Sequence, residues 1–375
     1  MGVAVGPPGR VLLARARAHE GAGRYEQAWS DLRRAAAAAR EADDPDLEIT
    51  VLRRLGGDVP IALGVPPTEC VTHLRHGLRR AASVGDRAAE ADLRARLAVL
   101  ATHDLRFGEA LEQGRRAVAA GRAAGDGHAL LAGLDGLRTV YAHTGMVDEL
   151  AGVVAELATV PDPRSWTVFE GALPAVAAGR FGEARARVAE AIVLAGDGAH
   201  AGWFLAHEGW IARQQGDLDE AAEVGRRAVA LTTAPIGEHR WWTAAACALL
   251  ATTLLARGET AEARGVAGHG LAAAGPGAVA GARLRCLAVL AEAGDAVEHP
   301  ALPADIALLE ADRLLAGVTG PPATAWLLGA DAYASVARAW RARGRAARAR
   351  DTLDPLLAAA RAHGWRRLAE QAERL

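Results

Sequence analysis

A short phrase returns along this chain at a near-fixed interval, and no other feature restricts the fold as strongly. It runs Gly, a polar or small residue, an apolar one, then usually an acid shortly before a small apolar anchor. It reads Gly23-Arg24-Tyr25-Glu26-Gln27-Ala28, then Leu105-Arg106-Phe107-Gly108-Glu109-Ala110 with Leu in place of Gly, then Gly145-Met146-Val147-Asp148-Glu149-Leu150. It returns as Gly179-Arg180-Phe181-Gly182-Glu183-Ala184, Gly216-Asp217-Leu218-Asp219-Glu220-Ala221 and Gly258-Glu259-Thr260-Ala261-Glu262-Ala263. A last copy, Gly344-Arg345-Ala346-Ala347-Arg348-Ala349, lacks its acid; a weaker one ends at Cys70 and a degenerate one falls near Asp305.

The anchors at 28, 70, 110, 150, 184, 221 and 263 are 34 to 42 residues apart, and the remaining gap to 349, of 86, holds two units. A period in this range predicts an array of helical hairpins, each too small to bury its own apolar face and each stacked on its neighbours. The Gly ends one helix in a left-handed turn, and the acid sits in the first turn of the next, where the helix dipole favours it. The anchor is small because two helices cross there. Seven residues on, the same face again carries a small residue: Ala35, Gly77, Ala117, Ala191, Ala228 and Gly270. Fifteen residues after several anchors the chain breaks again, at Asp43, Gly85-Asp86, Gly125-Asp126 and Gly364, where Gly closes a helix and Asp can cap the next.

At 375 residues the chain suits either several ordinary domains or one elongated array, and the repeats select the array, a single unit over residues 1–375. Between Gly275 and Trp326 the period blurs, with Pro276, Pro300, Pro303, Pro321 and Pro322 interrupting it, so irregular hairpins are expected around 275–325. Residues 350–375 are expected to form capping helices.

The phrase resembles the inter-helix turn of the tetratricopeptide repeat, and the resemblance covers essentially the whole chain. It implies an all-α, right-handed superhelical solenoid of about nine hairpins. The stretched period and the closing segment Ala358-Ala359-Ala360-Arg361-Ala362-His363-Gly364-Trp365 are also similar to the C-terminal repeat halves of large ATP-dependent LuxR-type regulators of actinobacteria.

In the tetratricopeptide family the first helix of each hairpin lines a concave groove. Carried onto the unit anchored at Ala221, this implies that Trp203, Ala206, Trp210 and Arg213 face it; Trp203 and Trp210, seven apart, share a helical face in any case. The preceding unit places Trp166, Phe169 and Leu173 equivalently, and Glu238-His239-Arg240-Trp241-Trp242 opens the next hairpin. In a chain only 4% aromatic, this gathering marks a candidate partner-binding surface, because Trp offers large contact area at little rotamer cost. The competing reading is that these rings fill space between Ala-rich helices.

Arg33-Arg34, Arg115-Arg116 and Arg226-Arg227 each fall five and six residues after an anchor, as expected for a solvated outer face. A denser run, Arg338, Arg341, Arg343, Arg345, Arg348 and Arg350, puts Arg338 and Arg341 at groove positions, where they could receive an acidic segment; a polar terminal cap, which the end of a solenoid needs for solubility, is the preferred reading of the run.

The chain has no lysine, which excludes a P-loop and Schiff-base chemistry within it. None of its four serines lies in a GxSxG elbow, and His207-Glu208 is not continued into HExxH because Ile211 stands at the second histidine's place. Gly21-Ala22-Gly23 has no preceding strand and reads as a turn. Neither catalysis, a metal nor a cofactor is expected. A net charge of -2 gives no global attraction to nucleic acid or an anionic membrane. Cys70, Cys247 and Cys286, odd in number and far apart, suit a reduced, cytoplasmic protein. The expected function is an interaction module that holds a protein or peptide; the alternative is a sensor whose Trp-rich middle admits a small-molecule effector or signalling peptide.

Overall fold

The structure, a computed structural model, describes residues 8–159, 165–196, 199–233, 240–275, 278–294, 302–320 and 330–375. Among these every regular element is an α-helix; the sole extended pairing is an isolated bridge between Arg106 and Thr319. No described helix is long and apolar enough to cross a membrane.

Contacts divide the chain into two compact units, residues 1–101 with 110–137, and 102–109 with 138–375. In chain order the first pairs are α1 (Pro8–Gly21) with α2 (Tyr25–Glu41), and α3 (Pro45–Leu55) and the short α4 (Asp58–Ala62) with α5 (Pro67–Val84). Then come α6 (Arg87–His103) with α7 (Phe107–Ala124), and α8 (Gly127–Thr144) with α9 (Val147–Leu157). The second unit continues with α10 (Ser165–Glu170) and α11 (Leu173–Ala177) before α12 (Phe181–Ala195), then α13 (Ala199–Gln215) with α14 (Leu218–Thr232). It closes with α15 (Arg240–Ala256) and α16 (Thr260–Ala274), α17 (Ala280–Ala293) and α18 (Ala304–Ala316), α19 (Ala330–Ala342) and α20 (Ala346–Ala362), and a final helix α21 (Arg366–Glu373).

These are nine successive helix pairs among the described residues, and each repeat anchor is the fourth residue of the second helix of its pair. Ala28, Cys70, Ala110, Leu150, Ala184, Ala221, Ala263 and Ala349 are all at most 2% exposed. The degenerate eighth unit is anchored at Ala307, also fully buried. The small residues seven positions on, Ala35, Gly77, Ala117, Ala191, Ala228 and Gly270, are buried as well. A spine of Ala and Gly lets paired helices approach closely, so the apolar area of each Ala counts despite its size.

The turns follow the sequence, with two instructive exceptions. Leu105 replaces the usual glycine yet still takes a left-handed backbone, φ +60°. That conformation costs a non-glycine residue roughly 1–2 kcal/mol. Here it is held by burial of the Leu105 side chain and by the Thr319 N–H, which donates to the Leu105 carbonyl at 3.2 Å. Asp43 is the second left-handed residue, φ +46°, and the cap of α3 is its neighbour Asp44, whose carboxylate accepts from the Leu47 N–H at 3.0 Å. Asp86 and Asp126 cap α6 and α8 in the same way, accepting from the N–H groups of Ala89 and Ala129.

Within the irregular stretch, Pro303 stands immediately before α18, and both α17 and α18 are regular. Pro276, Pro300, Pro321, Pro322 and Trp326 lie outside the described residues. Residues 350–375 form the body of α20, with Pro355 inside it, and α21.

Candidate functional site

In the second unit the first helices of successive pairs pack on one another, α13 on α15, α15 on α17 and α17 on α19, so their inward side chains share one surface. Helix α13 can sit close to α14 because Gly209 leaves room where a Cβ would stand 3.0 Å from the Ala221 carbonyl oxygen. A face turned away from Gly209 carries Trp203, His207 and Trp210, which are 6%, 2% and 6% exposed, and Arg213 stands at the border of that face.

Three tryptophans from three consecutive pairs meet there. The Trp166 ring lies 6.0 Å from Trp203 and 6.0 Å from Trp242, and Trp203 lies 6.5 Å from Trp242. Phe169 stacks on Phe204 at 4.7 Å beneath them, and His200 approaches Trp166 at 5.5 Å and Trp242 at 4.5 Å. Trp203 is at the buried centre of this group, Trp166 and Trp242 are half-buried, and His200 is exposed. The cluster therefore has a packed interior and an accessible edge.

The other candidate residues are placed separately. Trp241, adjacent in sequence to Trp242, points a different way and meets His103 at 5.2 Å, with His143 5.1 Å from His103. Trp210 donates its indole N–H to Asp331 of α19 at 3.1 Å, and Arg213 donates to the same carboxylate oxygen at 2.5 Å. His239 lies outside the described residues. Arg338 is engaged by Glu292 at 3.0 Å, while Arg341 is exposed. In the terminal arginine run, Arg343 pairs with Asp305 at 2.7 Å and Arg348 with Asp312 at 2.5 Å, so much of its charge ties α19 and α20 to α18. The doublets Arg33-Arg34, Arg115-Arg116 and Arg226-Arg227 are exposed.

Burial sets the electrostatics of this interior. It pulls His207 down to about 3, with the positive charge of Arg285 adding to the effect, and His103 down to about 4 for the same two reasons. His143 is likewise held well below the ordinary histidine range, first by burial and then by His103 and Arg285. All three are neutral near pH 7. Burial also draws Arg285 down to about 10, against the pull of Asp331. For Asp331 burial acts upward, but Arg213, Arg285 and the Trp210 N–H outweigh it and keep the carboxyl below its usual range. A further ion pair, Arg138 to Glu170 at 2.5 Å, is almost wholly buried, both side chains being 3% exposed.

The three cysteine thiols are held in their neutral form. Cys70 and Cys247 are buried and pushed up to about 12, and Cys286 is raised further by the same burial. Among the described residues no group of three or more His, Cys, Asp or Glu could hold a metal ion.

Of the residues singled out in the sequence, the structure brings Trp166, Trp203 and Trp242 together and joins Trp210 and Arg213 at Asp331; Asp331, Arg285, His103 and His143 are not among those singled out. Arg285 left a signal, a lone charge within the apolar run Leu284 to Val289. Asp331 left none, because its partners are more than a hundred residues away.

No family model matches the sequence, and no curated protein does. Solved structures do. The chain superposes on a Rap protein complexed with Competence and Sporulation Factor with a TM-score of 0.62 at 14% identity, covering 97% of this chain and 99% of that one. It matches NprR in complex with its cognate peptide NprX with a TM-score of 0.53 at 12% identity, covering 72% of this chain and 78% of that one. A tetratricopeptide repeat protein from Parabacteroides merdae matches at 0.48 and 14% identity, over 72% of this chain and 95% of that one.

The fold is a stack of helical hairpins. At this identity the likeness establishes the helical-repeat architecture alone, and the tetratricopeptide-like turns identified by their glycines agree with it.

Proposed function

We propose that this chain is a non-catalytic regulatory module that holds a peptide on the inward surface of its second unit, at the accessible edge of the Trp166, Trp203 and Trp242 cluster. The observation that carries this reading is the meeting of those three rings from three successive pairs, with Trp166 and Trp242 half-buried around a buried Trp203. Aromatic anchors of this kind supply large contact area with two rotatable bonds each, the composition that peptide-binding hot spots favour. Support also comes from the two structural neighbours whose names record a bound factor or peptide. Inner-helix surfaces of stacked repeats suit extended or helical segments because each repeat contributes one contact at a regular interval.

The test is selection of a random peptide library on the purified protein, followed by calorimetric titration of the recovered sequences. Trp166→Ala and Trp242→Ala should each weaken binding by about tenfold or more while leaving the helical signal unchanged. Recovery of peptides that bind both variants as tightly as the parent would remove the site from this surface.

A further inference from the structure

Helix α21 reaches back across the second unit: Arg367 donates to the Gln214 carbonyl near the end of α13, and its guanidinium lies 5.1 Å over the Phe181 ring. Between these elements is a cavity of about 70 Å³, walled by Val176, Phe181, Trp210, Trp365 and Leu368, with Asp331 at its polar end. A well-packed core leaves few voids larger than a water molecule, so a space of this size lined by three aromatic rings is a feature to be explained.

Asp331 restricts what the space can take. Its Oδ2 accepts from both the Trp210 indole N–H and Arg213, while its Oδ1 accepts from no described residue and its side chain is 26% exposed. Burial pushes the carboxyl upward, but Arg213 and Arg285 outweigh it and keep the group ionised near neutral pH. An incoming carboxylate would meet this like charge. An incoming cation would meet Arg213, Arg285 and Arg367, three guanidinium groups about one carboxylate. A purely apolar group would shut the Oδ1 acceptor away from water without giving it a donor, which is costly for a charged oxygen. What fits is a flat, neutral group with a hydrogen-bond donor at its tip. A phenol has the single ring that a space of this size takes, and O–H to carboxylate bonds belong to the short, strong class.

We propose that this cavity receives a phenol, its ring between Phe181, Trp210 and Leu368 and its hydroxyl donating to Asp331. On a peptide that group is a tyrosine side chain, and in this form the inference rests on the peptide reading and extends it. Trp210 stands seven residues from Trp203 on one face of α13, which sets the cavity about 10 Å along the helix from the tryptophan cluster. An extended chain rises about 3.3 Å per residue, so the tyrosine lies about three residues from the side chain seated on Trp166 and Trp242.

The probes are 4-ethylphenol, ethylbenzene and 4-ethylbenzoic acid, titrated against the full chain by ligand-observed NMR. The phenol should bind at least about tenfold more tightly than ethylbenzene, the difference one charge-assisted hydrogen bond supplies, and the acid should bind more weakly still. Gln371→Trp, which fills the cavity from its exposed rim, should abolish binding of the phenol, and Asp331→Asn should narrow the phenol's advantage over ethylbenzene to about threefold or less. Equal binding of phenol and ethylbenzene, or phenol binding untouched by Gln371→Trp, overturns the proposal and leaves the tryptophan-cluster reading, which Trp166→Ala tests, in place. Peptides selected on the protein should carry a tyrosine about three residues from their first anchor, and its replacement by phenylalanine should weaken each by about tenfold. Selective phenol binding without such a tyrosine in the peptides keeps the pocket and assigns it to free phenols.

Discussion

Arg213 of α13 and Asp331 of α19 stand 2.5 Å apart although 118 residues separate them, and Trp210 donates to the same carboxylate oxygen. Helices α15 and α17 lie between them in the stack, so this contact links the first and fourth inner helices directly. It joins helices that are not neighbours in the stack, as do the Arg106–Thr319 bridge and the contact of Arg367 with Gln214.

Removing Asp331 leaves Arg213 and Arg285 facing each other without their shared anion. Asp331→Ala should cost about 2–4 kcal/mol in urea unfolding, and the loss should shrink when combined with Arg213→Met, because one half of an ion pair is worse than neither. Additive losses would mean that the two groups are not coupled.

The Arg138–Glu170 pair is buried on both sides, so breaking it strands a charge where water does not reach. Glu170→Gln is expected to cost about 3–5 kcal/mol by chemical denaturation, several times the cost of removing the exposed Arg361–Glu373 pair.

The neutral histidines give a defined pH dependence. In the unfolded chain each takes up a proton near 6.5, whereas in the fold His103 does so only at about 4 and His207 at about 3. Below 6.5 the unfolded state therefore binds more protons, and stability is full above that pH and lost as pH falls toward those lower values. The slope is about 1.4 kcal/mol per pH unit for each histidine that stays neutral. Urea midpoints between pH 7.5 and 5 should fall, and His207→Gln should flatten the decline; a midpoint constant over that range would contradict the burial of these groups.

Two glycines in neighbouring helices should respond oppositely to alanine. A Cβ on Gly133 would lie 2.8 Å from the Val118 backbone nitrogen and 2.9 Å from the Ala117 carbonyl carbon, so Gly133→Ala should destabilise by about 1–3 kcal/mol. Gly152 is within α9, exposed, with nothing within 4 Å of that position, and Gly152→Ala should stabilise by about 0.5–1 kcal/mol through helix propensity. Thermal melts of the two variants check both signs.

What was legible in the sequence is what local chemistry dictates. Ala28, Ala184 and Ala263 mark helix crossings because only small side chains fit there, and Gly179 and Gly258 mark turns because the backbone goes left-handed. The eighth anchor was blurred because the Ala307 unit has Leu302 where most units carry glycine, although its helix starts with Asp305 in the first turn. The site was half legible. Trp203 and Trp210 share a face by their spacing, but that Trp241 and Trp242 diverge toward different neighbours follows from their adjacency on a helix, about 100° apart, and not from their chemistry. The junction with Asp331 depends on how the inner helices curve, which no local window records.

Hydrogen exchange with and without a selected peptide decides whether the inner helices of the second unit receive the partner. Protection should rise on α10, α13 and α15, around Trp166, Trp203 and Trp242, and stay unchanged on α12, α14 and α16. Protection confined to those second helices, or to the exposed arginine doublets, would contradict it.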